Sequence, residues 1–234
     1  METLLVPSLI HDGIRYDFPS DFVIAALPKL WDDGRNHQIC CIDVPGSRRA
    51  LRRDEYGSMI ASADLVLPTS AQLLRQLASD SEGMTRTLPV PFQHQLLLDA
   101  QAEIMDYRPS DTPELRTYQP LKVLTLLLTA TERFGGSAFL VGGDARTLAR
   151  AEANIRSTYP GLSIVGRMPG TYTGDEEAGL VLALQKSSPV LILTGSGIPQ
   201  GELWIPRHMS SMRTGIFFHL QDLLERLAGS GRSQ

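Results

Sequence analysis

Two glycine turns that follow apolar runs are the segments of this sequence whose residue types best suit ligand chemistry. In LILTGSGIPQGELWI, residues 191–205, a strand-like run passes through Gly195 and Gly197 into a helix start near Pro199. Glycine lets backbone amides approach a phosphate closely, and the N-terminus of the following helix adds partial positive charge. The same pattern also fits a tight strand exit with no ligand. LVGGDA, residues 140–145, repeats it with Gly142 and Gly143 ahead of Asp144, either as a second ligand-facing corner or as a simple turn. Pro169-Gly170-Thr171-Tyr172 makes a third turn.

The remaining reactive side chains argue against metal or disulfide chemistry. His11, His37, His94, His208 and His219 show no pair at metal-ligand spacing and no cysteine nearby, so surface or core roles are expected and no zinc site. Cys40 and Cys41 are adjacent in an apolar run, where vicinal geometry disfavours a structural disulfide, and free thiols suit a reducing cytoplasm. Arg48, Arg49, Arg52 and Arg53 fall on a helix after Pro45-Gly46-Ser47, either as a solvated face or as an anion-docking surface.

The elements that must position the turns alternate between short β-rich runs and helix-period segments. That alternation argues for an α/β fold, a mainly parallel sheet with helices on both faces. Strands are expected at Phe22–Leu27, Gln38–Asp43, Asp64–Leu67, Ala138–Val141, Leu162–Val165, Val190–Thr194 and Gly215–Phe218. Leu148, Glu152, Ile155 and Tyr159 share one face of a helix capped by Asp144. Another helix opens at Thr173-Gly174-Asp175-Glu176 as a capping box, with acidic residues complementing its dipole. Phe92, Leu96, Ala100 and Ile104 recur at helical spacing, and Leu121, Leu124 and Leu128 mark a segment apolar enough to lie between layers. The proline-containing stretch Arg108–Pro120 separates two lobes of one domain, residues 1–112 and 113–234, and the tail GSGRSQ is expected to fray.

Composition sets outer bounds. The 234 residues carry 26 acidic and 22 basic side chains for a formal charge of −4, which excludes a broad cationic grip on nucleic acid. A hydrophobic share of 42% with 21% charged residues is that of a soluble globular protein. METLLVPSLIHDG has no basic n-region of a secretory signal, and no apolar run reaches the roughly eighteen residues of a membrane helix. Partners are expected to be small molecules or proteins, and the location cytoplasmic.

Three segments, in their order and spacing, resemble the WecG/TagA/CpsF glycosyltransferases, also called glycosyltransferase family 26. They are YPGLSIVG at 159–166, GDEE at 174–177 and the G-x-G-x-P-x-x-E-x-W-I pattern at 195–205. The likeness extends upstream through FLVGGDARTLARAEANI, and in outline to SADLVLP at 62–68. It implies a Rossmann-like fold and transfer of an N-acetylmannosamine-type sugar from a UDP donor to a polyprenyl-diphosphate-linked acceptor. Inversion, no obligatory metal and no other cofactor go with it. Such enzymes serve bacterial surface polysaccharide synthesis.

Where the family carries an Asp-Gly pair after the SADLVLP-like strand, this sequence has Thr69 and Ser70. The family aspartate is the proposed base, and a hydroxyl without an adjacent base cannot take the acceptor's proton. The family's Thr-x-Asn falls on Cys41-Ile42-Asp43, which makes Asp43 the candidate proton acceptor. A turn acid facing solvent is the other reading of Asp43. In the Ser-Pro-Lys-Gln-Glu-Lys-Trp stretch, Gln200, Gly201 and Leu203 replace polar family residues, while Pro199, Glu202 and Trp204 are kept. Family members continue past LERLAG in a basic tail that covers the site and meets the membrane, whereas this sequence ends at Gln234, so neither lid nor membrane anchor is expected. The resemblance thus assigns Gly142, Gly143, Gly195, Gly197, Pro199, Glu202, Thr69 and Ser70 to substrate binding. Two functions follow: a glycosyltransferase working through Asp43, or a non-catalytic nucleotide-sugar sensor or protein-interaction scaffold on the same fold.

Overall fold

A computed structural model describes residues 2–52, 54–80, 82–90 and 115–229. The helical periodicity Phe92–Ile104, His94, Arg53, residues 108–114 of the proposed lobe boundary and the last five residues of the tail lie outside the described residues.

The fold is α/β and Rossmann-like. Its six-stranded sheet has the order β4-β3-β9-β8-β6-β7, formed by β3 (Asn36–Ile42), β4 (Leu65–Pro68), β6 (Ser137–Val141), β7 (Ser163–Met168), β8 (Leu191–Thr194) and β9 (Gly215–His219). The pairings of β3 with β9, β9 with β8, β8 with β6 and β6 with β7 are parallel. By its contacts the chain divides into two compact units, Met1–Leu30 with Cys40–Leu126, and Trp31–Ile39 with Leu127–Gln234.

In the first unit, β1 (Glu2–His11) pairs antiparallel with β2 (Ile14–Asp17) and with β5 (Glu82–Val90). The β1–β2 hairpin turns on Asp12 and Gly13, both at positive φ, as a two-residue Asp-Gly turn demands. Buried Asp17 fastens this unit: it accepts from Ser8 Oγ at 2.7 Å, from Arg15 Nε at 3.1 Å and from the Val66 amide at 2.8 Å. The strand expected at Phe22–Leu27 is instead part of a helix, α1 (Asp21–Leu30). Ser20 explains the difference, because its hydroxyl accepts the Val23 amide at 3.2 Å and caps a first turn that Asp21 complements. Short apolar runs do not discriminate helix from strand, and here the cap decides. Two further helices, α2 (Val44–Ala50) and α3 (Glu55–Ser62), precede β4, and α4 (Ala71–Asp80) follows it. On α2 the Arg49 guanidinium lies 4.1 Å from the Tyr56 ring centroid. Cys40 and Cys41 are free thiols.

The second unit is built from β-strands and crossovers. The second half of α5 (Pro120–Arg133) belongs to it, and only one side of that helix is apolar: Leu124 and Leu128 are buried, whereas Leu121 and Lys122 are exposed. A helix covered by one layer needs no more than this, so its placement between layers is not realised. After β6 comes α6 (Ala145–Thr158), capped by Asp144, whose Oδ1 accepts the Thr147 amide at 2.7 Å. That bond holds the Asp144 carboxyl below its ordinary range. Buried Leu148, Ala151 and Ile155 form its inner face, with Glu152 at the margin pairing Arg156 and Arg167. Next, α7 (Gly174–Ser187) opens on the expected capping box, in which Thr173 and Glu176 bond reciprocally. After β8 come α8 (Gly201–His208) and, beyond β9, α9 (Leu223–Leu227). One core cluster joins Phe139 and Val141 of β6, Ile192 of β8 and Phe217 of β9 to Leu180 and Leu184 of α7 and Trp204 and Ile205 of α8. Among the described residues, no helix is long and apolar enough to cross a membrane.

Candidate functional site

The connection from β6 leads to β7 on one side, and the chain then returns to β8 on the other side of β6. Strand order therefore reverses between β6 and β8, the position where open α/β sheets bind ligands outside their carboxyl ends. Gly142–Gly143 follow β6 and Gly195–Gly197 follow β8, so the two turns read from the sequence meet here, joined by the third at Gly170.

They meet backbone to backbone. The Gly143 amide donates to Ser196 O at 2.7 Å, Gly170 N–H to Gly143 O at 2.9 Å, Gly195 N–H to Val141 O at 2.9 Å and Gly142 N–H to Met168 O at 2.9 Å. A Cβ on Gly142 would lie 2.9 Å from the Gly195 backbone, and one on Gly170 would collide with the Ser196 carbonyl. The amides of Gly142, Gly143, Gly170 and Gly195 are thus committed to joining the turns. Gly197 and Pro199 are exposed on the outer rim.

Polar side chains converge on this framework. Ser196 Oγ donates to Glu225 Oε1, from the short α9, while Glu225 Oε2 is buried with no hydrogen-bond partner among the described residues. Thr194, ending β8, is fully buried, with its Oγ1 3.0 Å from Nδ1 of His219, ending β9. Burial pushes the His219 imidazole below its ordinary value, and the Glu202 carboxylate acts in the opposite direction. No group of three or more His, Cys, Asp or Glu side chains is placed to hold a metal among the described residues.

A sequence model described as the glycosyl transferase WecG/TagA/CpsF family matches residues 107–233, over half of the chain. The chain belongs to that family. A search of curated proteins returns no match. Family membership makes two of the sequence motifs mutually intelligible. Glu177, closing GDEE, accepts the Trp204 indole N–H at 3.1 Å and the Tyr172 hydroxyl at 3.4 Å, and lies 3.3 Å from His208 Nε2. Trp204 and His208 stack with centroids 4.6 Å apart. The acidic helix start and the E-x-W-I segment are therefore two halves of one clamp between α7 and α8. Tyr172 stays protonated as its donor, because burial and then the Glu177 charge raise its hydroxyl pKa.

The positions singled out in the first unit carry structural duties. Asp43 is exposed and caps α2, its Oδ1 accepting the Gly46 amide at 2.8 Å. Thr69 donates its hydroxyl to Ile42 O at 3.1 Å, and Ser70 Oγ accepts the Leu73 amide at 3.2 Å at the start of α4. Sequence reasoning missed Ser196, Glu225 and the Thr194–His219 pair. His219 carried one usable signal, its place at the carboxyl end of a strand. Glu225 carried none, because its neighbour Ser196 is 29 residues away.

Proposed function

We propose that the carboxyl edge of the second unit binds a UDP-linked sugar of the N-acetylmannosamine type, and that the chain serves cytoplasmic sugar transfer to a polyprenyl-diphosphate-linked acceptor in bacterial surface polysaccharide synthesis. The supporting observation is Glu225: a buried carboxylate oxygen without a partner, beside the Gly195–Gly197 turn at the strand-order switch. An acidic side chain so placed suits ribose hydroxyls, which supply the missing donors. The rim residues Gly197, Pro199 and Glu202 complete the donor side. Asp43 is the proposed proton acceptor, with Thr69 and Ser70 as substrate contacts.

A non-catalytic nucleotide-sugar sensor is the second reading. Asp43, Thr69 and Ser70 are all engaged in capping or backbone bonds, which favours it. UDP at a hundredfold excess over its Kd should stabilise the chain by about 2.7 kcal/mol, a rise in Tm of roughly 5–10 °C. Glu225→Gln should remove most of that rise. Sugar release from UDP-N-acetylmannosamine with a lipid acceptor, compared with Asp43→Ala, then separates the readings. Turnover above that variant supports transfer through Asp43, whereas a UDP shift without turnover leaves the sensor. No shift at millimolar UDP refutes both and leaves a protein-interaction scaffold.

A further inference from the structure

His219 is held in a way that its neighbours in the strand do not require. Its ring ends β9 against the last residue of β8, its register partner Thr194, with Nδ1 3.0 Å from the hydroxyl. On another side Cε1 abuts the first residue of α8, where a Cβ on Gly201 would lie 3.1 Å away. Glycine at 201 therefore admits the ring to the N-terminus of the helix that follows the Gly195–Pro199 turn. Gln200 at the N-cap of that helix makes no side-chain bond to its first-turn amides, its Oε1 accepting instead from Arg207 at 2.8 Å. The residue as a whole keeps partial exposure to solvent.

Among the described residues, the charges around the ring are few. Glu202, on α8, is the charged group that acts on it, and β8 contributes only the Thr194 hydroxyl. On α9 and the turn before it, Glu225 is bonded to Ser196 and Asp222 is paired with Arg226. In the segment of β3 paired with β9, the titratable residue is His37, bonded to Asp33 at the start of the strand. Burial keeps the free ring neutral near pH 7, while Glu202 supplies a counter-charge for its protonated form.

We propose that His219 is a proton-uptake residue of the nucleotide site: its ring takes a proton from solvent as a nucleoside diphosphate binds and donates a charge-assisted hydrogen bond to the diphosphate. The inference rests on the nucleotide reading above. In the bound state Nδ1–H serves Thr194 Oγ1 and Nε2–H serves a phosphate oxygen, and Glu202 acts as a second counter-charge to the imidazolium. Proton uptake on binding requires, by linkage, that affinity fall as pH rises between the free and bound values of the ring.

Calorimetric titration of UDP into the full chain, in two buffers of different ionisation enthalpy, measures the protons taken up per UDP. The UDP terminal phosphate titrates in the same range, so the quantity read is the difference between wild type and His219→Gln, which keeps a polar side chain but does not titrate. Wild type should take up more protons per UDP than the variant. It should also bind about tenfold more tightly at acid pH, a gap that closes as pH rises. Equal uptake, or a gap independent of pH, overturns the proposal while the nucleotide reading stands; no UDP binding by wild type overturns both. Glu202→Gln leaves the ring in place and tests the same point should His219→Gln fail to fold. Its affinity should begin to fall at a lower pH than that of wild type, and an unshifted profile overturns the assignment of His219.

Discussion

Gly170 and Gly174 are four residues apart and meet opposite demands. A methyl group on Gly170 would collide with the Ser196 carbonyl and lie 2.8 Å from the Gly197 carbonyl carbon, whereas nothing lies within 4 Å of the corresponding position on Gly174. Gly170→Ala should therefore destabilise the chain by about 1–3 kcal/mol, because backbone on both sides must move. Gly174→Ala, at the first position of a capped helix, should fall within about 1 kcal/mol of wild type and on the stabilising side. Urea denaturation of the two variants checks this, and equal midpoints would refute the close packing of the turns. In the sequence Gly170 reads as a turn glycine and Gly174 as part of a capping box, and neither reading shows which of them is crowded. What separates them is a segment 26 residues further on.

Among elements, the α7–α8 pair shows how local and tertiary instructions combine. The start of α7 is written in four consecutive residues, and the capping box forms as those residues dictate. Where α7 docks depends on partners distant in sequence: Leu180 and Leu184 pack in the core, and Glu177 bonds Trp204, 27 residues away. Trp204 is 2% exposed, so Trp204→Phe keeps most of the packing and removes one buried donor. The expected loss is about 1 kcal/mol. In a double-mutant cycle with Glu177→Gln, the two losses should fall short of adding; strict additivity would show that the clamp carries no energy. The misplaced strand at Phe22–Leu27 is the converse case. Its apolar run is compatible with either period, and the Ser20 cap, three residues before the amide it accepts, was the deciding signal.

For the molecule as a whole, the second unit is not a continuous stretch of chain. It takes in Trp31–Ile39, whose residues Asn36–Ile39 pair with Gly215–Phe218 of β9, and Asn36 Nδ2 donates to the carbonyls of Met209 and, at 2.9 Å, Met212. A fragment of residues 113–234 would leave β9 as an unpaired edge. It should melt below the full chain and lose amide protection at Gly215, whose N–H donates to Arg35 O, while Ile216, bonded to Val190 O on the β8 side, keeps more of its own, as hydrogen exchange would show; equal protection at Gly215 would mean that β3 contributes nothing to this unit. The sequence by itself determined the α/β alternation, most strands of the parallel sheet, the caps at Asp144 and Thr173 and the family motifs, because each depends on residues a few positions apart. Tertiary structure alone decided that three glycine turns interlock, that Glu225 and His219 reach the carboxyl edge, and that residues 31–39 complete a sheet nearly two hundred residues away. Those outcomes depend on strand order, which brings together side chains that no local periodicity relates.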